Sequence, residues 1–439
     1  MKTIYISDLL SGNQTGNNVL SGWLSNRRHI GGVIFLDISD STGMIQAIIE
    51  KRKISGVIFN AALRVSLESS IEVRGNMQKN SNNDQSEIFV SSFVVINENT
   101  LSLSPRPRSN FDIFDPSLTK QMLDYRHIYL RNPKIMAILR FRGELMQIIR
   151  EWFFQNRFIE FDAPILTPAP LYDNRTAMSI DVHDQSVYLT QCAGFYLEAA
   201  VHAFERVFNL GPSFRGEESR SKRHLIEYWH VKAEVAFGNR EDIISLVEDI
   251  IGYITQECII RCKDTLRTLN SELCVDGLKS PFPRIAYEDA IKYLQSKSYN
   301  THFGKGISTA EEEELSKLYD SAFWIVGIPR SVEPFPYVID ESDTRITMVA
   351  DLIASNGCGE LLGVAEKIHT SRMLDERLEE KGKLDDPRYQ FVKEVHDSGC
   401  VPHIAFGMGL ERLIRWLLNL PHVRDAIPFP RVIRRSIAP

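Results

Sequence analysis

The sequence predicts an α+β protein, with a small N-terminal β-barrel and a larger domain in which an antiparallel sheet is flanked by helices. Residues 1 to about 100 alternate short β-rich runs with Gly, Asn and Ser turns, which is typical of a small barrel. Apolar residues then recur at helical spacing from Lys134 to Asn156, and strand and helix patterns alternate irregularly to the end. These patterns place the two domains at residues 1–103 and 133–439.

Residues 104–132 are predicted to link the two domains. The link begins within LSPRPRSNFD, where Pro105 and Pro107 lack backbone amide donors and the ring of Pro107 pushes Arg106 toward extended geometry. A segment with these constraints is typical of a hinge between domains.

Composition and charge set broad limits on the class of protein. With 439 residues, 43% of them hydrophobic, the chain is long enough for two or three domains with sizeable cores. The net charge of -6 requires that any nucleic acid be bound by local basic patches. No apolar run approaches transmembrane length and the N-terminus lacks a secretory signal, so we expect a cytoplasmic protein without a membrane partner. The six cysteines include no CxxC pair, which argues against a structural zinc site.

The segment from Phe214 to Phe237, FRGEESRSKRHLIEYWHVKAEVAF, carries the densest group of candidate functional side chains. A strand-loop-strand hairpin would direct its polar residues at one nucleotide. Arginine forks match phosphate oxygens two at a time, and an aromatic ring with a carboxylate can sandwich and read a purine. The alternative is a charged surface hairpin, because charge runs usually mark solvated faces. The residues concerned are Arg215, Glu217, Arg223, His224, Glu227 and Tyr228.

A second segment, HIAFGMGLER from His403 to Arg412, bears on that choice. Gly407 and Gly409 allow close backbone packing, and the pattern predicts a glycine-rich strand leading into an amphipathic helix that begins with Glu411 and Arg412. This arrangement can place Arg412 over a bound phosphate chain. Ordinary helix-start chemistry is the alternative explanation.

In this order the two segments resemble the second and third signature motifs of class II aminoacyl-tRNA synthetases. The resemblance covers nearly the whole chain and is strongest to the aspartyl and asparaginyl branch, particularly bacterial asparaginyl enzymes. Residues Gly22 to Ile49 look like the N-terminal anticodon-binding OB-fold barrel of that branch. RFIEFDAPILTPAP, from Arg157, resembles the first motif, which in the family ends at a proline, here Pro164, and builds the homodimer interface. The resemblance implies activation of an amino acid with ATP, a tRNA partner and a homodimer.

The resemblance also assigns roles in an ATP site. Arg215 would hold the α-phosphate while a carboxylate attacks it, and Arg412 would cap the other side of the nucleotide. These two arginines are the expected catalytic residues. Glu217 would contact the adenine amino group, and Tyr228 would stack on the purine where the family usually has phenylalanine.

Toward the outer phosphates, the resemblance implies Arg223, His224 and a magnesium ion held by Glu360 and Asp351. Magnesium (Mg²⁺) prefers oxygen ligands and keeps several waters, so two protein carboxylates suffice. A solvated acidic turn is the alternative interpretation of the two acidic residues.

The amino acid pocket is where the sequence departs from the family. Asparaginyl enzymes carry a glutamine where Gly194 stands. At Leu197, aspartyl enzymes use a lysine to neutralise the side-chain carboxylate of the substrate, and a leucine cannot pair with that buried charge. Leu197 therefore favours a substrate with a neutral side chain.

Three further pocket positions differ from the family. Lys367 replaces the recognition arginine and loses its planar fork. The loop after the first motif lacks the usual glutamate for the substrate ammonium, and Asp173 is the nearest substitute. Ala405, with Ile404, replaces a smaller residue pair and is expected to narrow the pocket beside the adenylate.

In the barrel, Phe35 flanked by Arg27, Arg28 and Gln46 resembles the family's surface for unstacked anticodon bases. Stacking on an aromatic ring contributes ~1–3 kcal/mol per base. By resemblance, Gln46 would read the central U that the aspartate and asparagine anticodons share. Without the resemblance, a core phenylalanine with solvent-exposed arginines is the simpler interpretation.

Two functions remain open from the sequence. In the first, the protein activates asparagine as its adenylate and transfers it to tRNA, which Leu197 and the barrel favour. In the second, it is a paralogue that adenylates another small amino acid and passes it to a non-tRNA acceptor, which Gly194 and Lys367 favour. A tRNA-binding protein without catalysis is disfavoured, because Arg215 and Arg412 are both present.

Overall fold

The chain forms two compact units. The computed structural model describes residues 1–11, 16–79, 86–171, 175–218 and 221–437. The first unit comprises Met1–Ile113 with Ile128–Asn132, and the second comprises Phe114–His127 with Pro133–Pro439. The segment predicted as a linker, residues 104–132, is divided between the two units.

The first unit contains a closed β-barrel, as the alternating pattern predicted. Its strands are β1 (Asn17–Ile30), β2 (Val33–Ser39), β3 (Met44–Glu50), β4 (Ser70–Lys79) and β5 (Ser86–Asn97), in the order β1-β2-β3-β5-β4. The helices α1 (Ile6–Leu10) and α2 (Gly56–Arg64) accompany them. Alternate residues of β2 point into the barrel, where Ile34, Leu36 and Ile38 are completely buried. The intervening residues of β2 therefore face outward.

The second unit is built on an eight-stranded sheet with the order β12-β13-β14-β15-β16-β11-β10-β6. Its strands are β6 (Ile159–Glu160), β10 (Arg206–Phe214), β11 (Glu227–Ala236), β12 (Arg284–Ala286), β13 (Phe323–Val326), β14 (Val349–Ala354), β15 (Gly359–Lys367) and β16 (His403–Gly409). The central pairs are antiparallel, as predicted, and within the described strands of this sheet only the outermost pairs, β12 with β13 and β6 with β10, are parallel. A smaller sheet has the order β7-β9-β8 and consists of β7 (Leu166–Thr167), β8 (Met178–Val182) and β9 (Gln185–Leu189).

Helices complete the chain beyond the barrel. They are α3 (Thr119–Asp124), α4 (Arg126–Tyr129), α5 (Pro133–Gln155), α6 (Gly194–Phe204), α7 (Arg240–Arg261), α8 (Lys263–Leu269), α9 (Tyr287–Ser296), α10 (Thr309–Leu315), α11 (Ser371–Glu380), α12 (Gln390–Asp397) and α13 (Leu410–Leu417). Short 3₁₀ helices lie at Pro116–Leu118, Asp276–Lys279, Ser316–Leu318, Pro387–Tyr389 and Val423–Ala426. In the part of the chain that the structure describes, no helix combines the length and apolar character needed to cross a membrane.

The long helix α5 follows the spacing seen in the sequence. It begins with Pro133, whose fixed φ and missing amide suit a first helical position. Its buried residues Phe141, Leu145, Ile148 and Trp152 recur every three or four positions, so one face packs into the protein.

The hairpin of β10 and β11, together with β16, positions the candidate site. Phe214 pairs with Glu227 at the turn end of the hairpin, and Lys232 pairs with Gly407 of β16. Strand β16 leads directly into α13, which begins at Leu410, one residue before the predicted start. Because alternate strand residues share a face, Tyr228 and Lys232 point to the same side of the sheet.

Candidate functional site

A cavity of about 400 Å³ in the second unit collects residues from both signature motifs. Its volume lies within the range of small-molecule sites, which is roughly 300–1,000 Å³. The predicted site residues that line it are Arg215, Arg223, His224, Tyr228, Asp351, Glu360, Ala405 and Arg412. The structure therefore brings distant segments of the sequence to one cavity, and the alternative of an isolated charged hairpin does not apply.

Two arginines at this cavity are held by neighbouring carboxylates and keep part of their surface exposed. Arg215 Nη1 lies 3.5 Å from Glu217 Oε1, and the Arg215 side chain is 34% exposed. Arg412 Nη1 donates to the Glu360 carbonyl oxygen at 2.9 Å and lies 3.2 Å from Glu360 Oε2. Both guanidinium groups can therefore bind an anionic ligand without first breaking a fully buried ion pair.

Tyr228 and His224 provide rings near these arginines. The Tyr228 hydroxyl donates to the Gln191 carbonyl oxygen at 3.3 Å, which fixes the ring at the cavity wall. Burial and the nearby charge of Arg412 lower the pKa of His224 to about 4, so the imidazole is neutral at pH 7. A neutral imidazole can donate a hydrogen bond to a ligand but brings no positive charge to the cavity.

Arg223 is less available than its expected role requires. Its guanidinium forms an ion pair with Glu312 and donates from Nη2 to Thr309 Oγ1 at 2.8 Å. The absence of a side chain at Gly359, where φ is +74°, leaves room for this guanidinium. Because Glu312 already compensates its charge, Arg223 stabilises the cavity wall and presents less net charge to a phosphate than the sequence suggested.

Carboxylates cluster at the same end of the cavity. Burial and the charge of Glu360 raise the pKa of Asp351 well above its ordinary value, and the same two causes raise the pKa of Glu333 to about 7. Gly363 leaves space for Asp351, since a Cβ at this glycine would lie 2.9 Å from Oδ1. Repulsion among carboxylates is relieved by a bound cation, and carboxylate oxygens are the ligands that Mg²⁺ prefers. Asp351 and Glu360 therefore offer the kind of ligand that a magnesium ion takes, and Glu333 is a further acidic residue of the cavity that sequence reasoning missed.

The other end of the cavity, which we call the acyl end, is lined by Lys232, Tyr337, Ala365 and Ala405. Lys232 is only 4% exposed. Its side chain passes beside Gly194, where a Cβ would come within 3.3 Å of Lys232 Cε. Gly194 thus lies next to Lys232 without lining the cavity itself, and the absence of a side chain there leaves room for the lysine.

Lys367 is placed differently from the expectation. Its Nζ lies 2.8 Å from Glu198 Oε2, both side chains are less than 5% exposed, and Lys367 does not line the cavity. His396 Nε2 lies 3.4 Å from the other carboxylate oxygen of Glu198. Burial by itself would raise the pKa of Glu198, but the combined effect of Lys367, His403 and His396 outweighs it and lowers this pKa to about 2. Lys367 is therefore occupied by a buried ion pair.

Leu197 and Asp173 do not add to the described site. Leu197 is completely buried in a hydrophobic cluster with Ala200, Val201 and Val207, and it does not line the cavity. Asp173 lies outside the described residues. Of the predicted pocket residues, Ala405 lines the cavity and Gly194 adjoins it.

The barrel brings three of the four predicted anticodon residues together. Phe35 is half-buried on the outer face of β2, opposite Arg28, whose guanidinium lies 5.7 Å from the ring centre. The hydrogen-bond partners around Gln46 orient its amide so that the oxygen accepts from Arg28 Nη2 at 2.5 Å. Phe35 is therefore not a core residue, and it forms one outward surface with Arg28 and Gln46.

Arg27 does not join this surface. Its Nη1 donates to the Val65 carbonyl oxygen at 2.5 Å. Arg27 and Arg28 are consecutive on β1, so their side chains leave the strand on opposite sides. The sequence grouped the two arginines because they are adjacent, but adjacent residues of a strand point to opposite faces.

Comparisons with known proteins agree with this architecture. The family described as tRNA synthetases class II (D, K and N) matches residues 119–433. The chain belongs to this family. The family described as OB-fold nucleic acid binding domain matches residues 19–96, so the predicted combination of an OB-fold barrel and a class II catalytic domain is confirmed.

Individual relatives resemble this class II synthetase over nearly the full length of both chains. The chain is 35% identical to an asparagine–tRNA ligase of Pyrococcus abyssi and 34% identical to one of Desulforamulus reducens, each over 95% of both chains. The structure of asparaginyl-tRNA synthetase from Pyrococcus horikoshii complexed with asparaginyl-adenylate superposes with a TM-score of 0.92, at 32% identity and full coverage of both chains. The asparaginyl-tRNA synthetase of Entamoeba histolytica, also with asparaginyl-adenylate, gives a TM-score of 0.84 at 25% identity, covering 96% of this chain and 97% of its own.

Sequence reasoning missed several residues of this synthetase's cavity. His230 and Lys232 line it, and both lie at alternate positions after Tyr228 on β11. Extending the two-residue period of the strand from Tyr228 would have found them. Glu198 and Glu312, the buried partners of Lys367 and Arg223, do not line the cavity, and they carried no such signal because their partners are distant in the sequence.

Proposed function

We propose that this synthetase activates L-asparagine with ATP and transfers it to tRNA(Asn). The observation that carries the proposal is the single cavity lined by Arg215, Tyr228, Glu360 and Arg412. The relatives that are asparagine–tRNA ligases, and the similar structure that holds asparaginyl-adenylate, support asparagine as the substrate. They also favour tRNA as the acceptor over the non-tRNA ligase considered from the sequence.

In the first step, the asparagine carboxylate attacks the α-phosphorus of ATP, the bond to the oxygen that bridges the β-phosphorus breaks, and pyrophosphate leaves. Arg215 donates hydrogen bonds to the α-phosphate oxygens, on which charge builds up in the transition state. Arg412 neutralises charge on the phosphate chain. Tyr228 stacks on the adenine, and Glu217 accepts a hydrogen bond from its amino group.

The carboxylates of Asp351 and Glu360 would hold a magnesium ion, with Glu333 beside them. When bound, Mg²⁺ neutralises phosphate charge and orients the pyrophosphate leaving group. A bound cation would then favour the ionised forms of Asp351 and Glu333, whose pKa values are raised by burial and by the charge of Glu360.

In the second step, a hydroxyl of the terminal tRNA ribose attacks the carbonyl carbon of the adenylate. The mixed anhydride bond breaks, AMP leaves, and the hydroxyl proton passes to solvent or to a phosphate oxygen. We assign the reading of the anticodon to the outward surface formed by Arg28, Phe35 and Gln46, where a base can stack on the half-buried ring.

We further propose a homodimer formed through the segment from Arg157 to Pro164. Strand β6 within this segment is at the end of the large sheet. Large apolar side chains around it are exposed in the single chain, which is typical of a surface that a second subunit covers. They are Phe154, Ile159, Ile165, Leu166 and Phe204. Light scattering should give about twice the chain mass of 50.2 kDa, and a persistent monomer at micromolar concentration would contradict the dimer.

Pyrophosphate exchange into ATP tests the proposed reaction. The assay would compare asparagine with aspartate, glutamine and the remaining standard amino acids, with and without Mg²⁺. Exchange with asparagine, followed by charging of a tRNA(Asn) transcript, is the expected result. Exchange with another amino acid, or an adenylate that is never transferred to tRNA, would refute the proposed substrate or acceptor.

A further inference from the structure

Two histidines and a cysteine lie together where the end of α6 approaches the start of β16. His202 lies in the last turn of α6, Cys400 follows α12, and His403 is the first residue of β16. Each side chain offers one atom that can bind a metal ion, and these three atoms all lie within 4.8 Å of one another. None of the three residues lines the cavity, so the proposed reaction does not account for them.

Backbone carbonyls hold both imidazoles in the same tautomer. His202 Nδ1 lies 2.6 Å from the Glu198 carbonyl oxygen, and His403 Nδ1 lies 2.9 Å from the Val401 carbonyl oxygen. Because a carbonyl oxygen only accepts hydrogen bonds, each Nδ1 carries the proton, and the lone pair of the neutral ring is on Nε2. A backbone carbonyl at the other ring nitrogen is the usual support of a histidine that binds a metal.

The two Nε2 atoms differ in their surroundings. His202 Nε2 lies 2.8 Å from Cys400 Sγ and accepts from the Val401 amide at 3.1 Å. His403 Nε2 is buried and has no hydrogen-bond partner in the described part of the chain, although Glu234 Oε2 lies 3.7 Å away. Both carboxylate oxygens of Glu234 likewise have none there. Buried polar atoms are nearly always paired in native proteins, so these atoms point to a ligand that binds beside them.

The chemistry of the three side chains fits a zinc ion. A thiolate and two neutral imidazoles are ligands that Zn²⁺ takes, whereas Mg²⁺ prefers oxygen. With Zn–S and Zn–N bonds of about 2.3 and 2.0–2.1 Å, the atoms around one ion lie roughly 3–4 Å apart. The separation of 2.8 Å and the upper limit of 4.8 Å enclose this range. Three protein ligands leave one tetrahedral position for a water, which can donate a hydrogen bond to Glu234.

We propose that His202, Cys400 and His403 bind one Zn²⁺ ion, which joins α6 to β16. As the bond between zinc and sulfur forms, the Cys400 thiol loses its proton to solvent, and the metal replaces the hydrogen bonds that His202 Nε2 now accepts. The ion links residues 198 positions apart, so we assign it a structural role. The absence of CxxC pairs does not exclude this site, because it combines a CxxH pair with a distant histidine.

The test measures metal binding by the purified full-length protein. Zinc is first removed with a chelator, and the protein is titrated with Co²⁺ while excess Mg²⁺ occupies sites built from oxygen ligands. Co²⁺ takes the same ligands as Zn²⁺ and shows a charge-transfer absorption band when a thiolate binds it. The expected result is this band at one Co²⁺ per chain, and its loss when Zn²⁺, which binds such ligands more tightly, is added.

Three variants connect the band with the proposed ligands. Cys400→Ser should abolish it and weaken Zn²⁺ binding roughly 100-fold or more, since loss of a mere partner of a ligand already costs 10–100-fold. Cys274→Ser is the matched control, because Cys274 is also a half-buried free cysteine but lies outside the group, and it should keep the band. His202→Gln should keep a thiolate band and weaken Zn²⁺ binding, and it serves as the second variant if Cys400→Ser does not fold.

Thermal unfolding tests the structural role. A metal that binds only the folded chain stabilises it, so Zn²⁺ should raise the unfolding midpoint of the unmodified protein and of Cys274→Ser. The midpoint of Cys400→Ser should not respond to Zn²⁺. A zinc-dependent shift of equal size in Cys400→Ser would overturn the inference.

The spectra give equally direct contrary outcomes. No thiolate band in the unmodified protein would show that hydrogen bonds alone hold the group together, and would overturn the proposed site. A band that persists in Cys400→Ser, or that is lost in Cys274→Ser, would place the metal at another cysteine and would also overturn it. These outcomes leave the proposed adenylation unaffected, because pyrophosphate exchange measures that reaction separately.

Discussion

The two ends of the catalytic cavity use charged side chains in different ways. At the end where we propose that the nucleotide binds, called the nucleotide end below, Arg215 and Arg412 remain partly exposed, each beside a carboxylate. Near the acyl end, Lys367 and Glu198 are almost completely buried and compensate each other. The first pair of side chains is available to a ligand, whereas the second holds the fold together. Substitutions at the nucleotide end should therefore change rates, and substitutions around the acyl end should also change stability.

Breaking the buried ion pair of Lys367 with Glu198 should have the largest effect, and that effect should be on stability. Lys367→Met leaves the Glu198 carboxylate buried without its partner, which should lower the free energy of unfolding by about 3–5 kcal/mol. Chemical denaturation measures this change. Lys367→Arg, which keeps the charge, is the matched control and should lose less. An unchanged denaturation midpoint in Lys367→Met would show that the ion pair does not form.

The difference between the two ends also explains what the sequence could predict. Arg215, Tyr228 and Arg412 lie within short motifs, and the structure places all three at the cavity. The ion pair of Arg223 with Glu312 joins residues 89 positions apart, and no local pattern indicates it. The motif alone consequently assigned Arg223 to the phosphates.

The same reasoning applies to the fold. The barrel, helix α5 and the motif hairpin follow from periodicity and turn residues, and all three are present. The opposite placement of Arg27 and Arg28 follows from strand alternation and was predictable in principle. The placement of Leu197 in a hydrophobic cluster and of Lys367 outside the cavity depends on tertiary packing, which a single sequence does not reveal.

Replacing Arg215 at the nucleotide end should lower the rate of pyrophosphate exchange and leave the fold intact. Arg215→Ala should lower pyrophosphate exchange roughly 10²- to 10³-fold, because one donor to the developing charge is lost. Arg372→Ala is the matched control, since Arg372 is 88% exposed on α11, and it should retain full activity. Near-normal exchange in Arg215→Ala with an unchanged unfolding temperature would exclude the proposed ATP site.

Substitutions on the outward surface of the barrel should raise the KM for tRNA and leave amino acid activation unchanged. Phe35→Ala should raise the KM for tRNA by roughly 5- to 150-fold, which corresponds to the loss of one stacked base. Pyrophosphate exchange without tRNA should not change. Arg28→Ala should weaken charging more than Arg27→Ala, because only Arg28 shares the surface with Phe35. Equal effects of the two arginine substitutions would contradict this assignment.

The smallest effect on rate concerns His224. Its pKa is lowered to about 4, mainly by burial, so the rate of exchange should show no inflection near pH 6.5 from this residue. Since the depressed pKa belongs to the folded state, the unfolded chain binds the extra proton more readily. The stability that neutral His224 contributes is therefore full above about pH 6.5 and is lost as the pH falls toward 4. Denaturation at pH 7 and pH 5 should show a larger loss in the unmodified protein than in His224→Gln, and an inflection near pH 6.5 that disappears in His224→Gln would contradict the assignment.

The central claim is that one cavity holds the nucleotide at Arg215 and Tyr228 and the acyl group at its acyl end. A crystal structure with a non-hydrolysable analogue of asparaginyl-adenylate tests it most directly. The expected result is adenine stacked on Tyr228, the phosphate mimic within hydrogen-bond distance of Arg215, and the acyl group at the acyl end. An adenosine bound away from Tyr228, or an acyl group outside the cavity, would contradict the account.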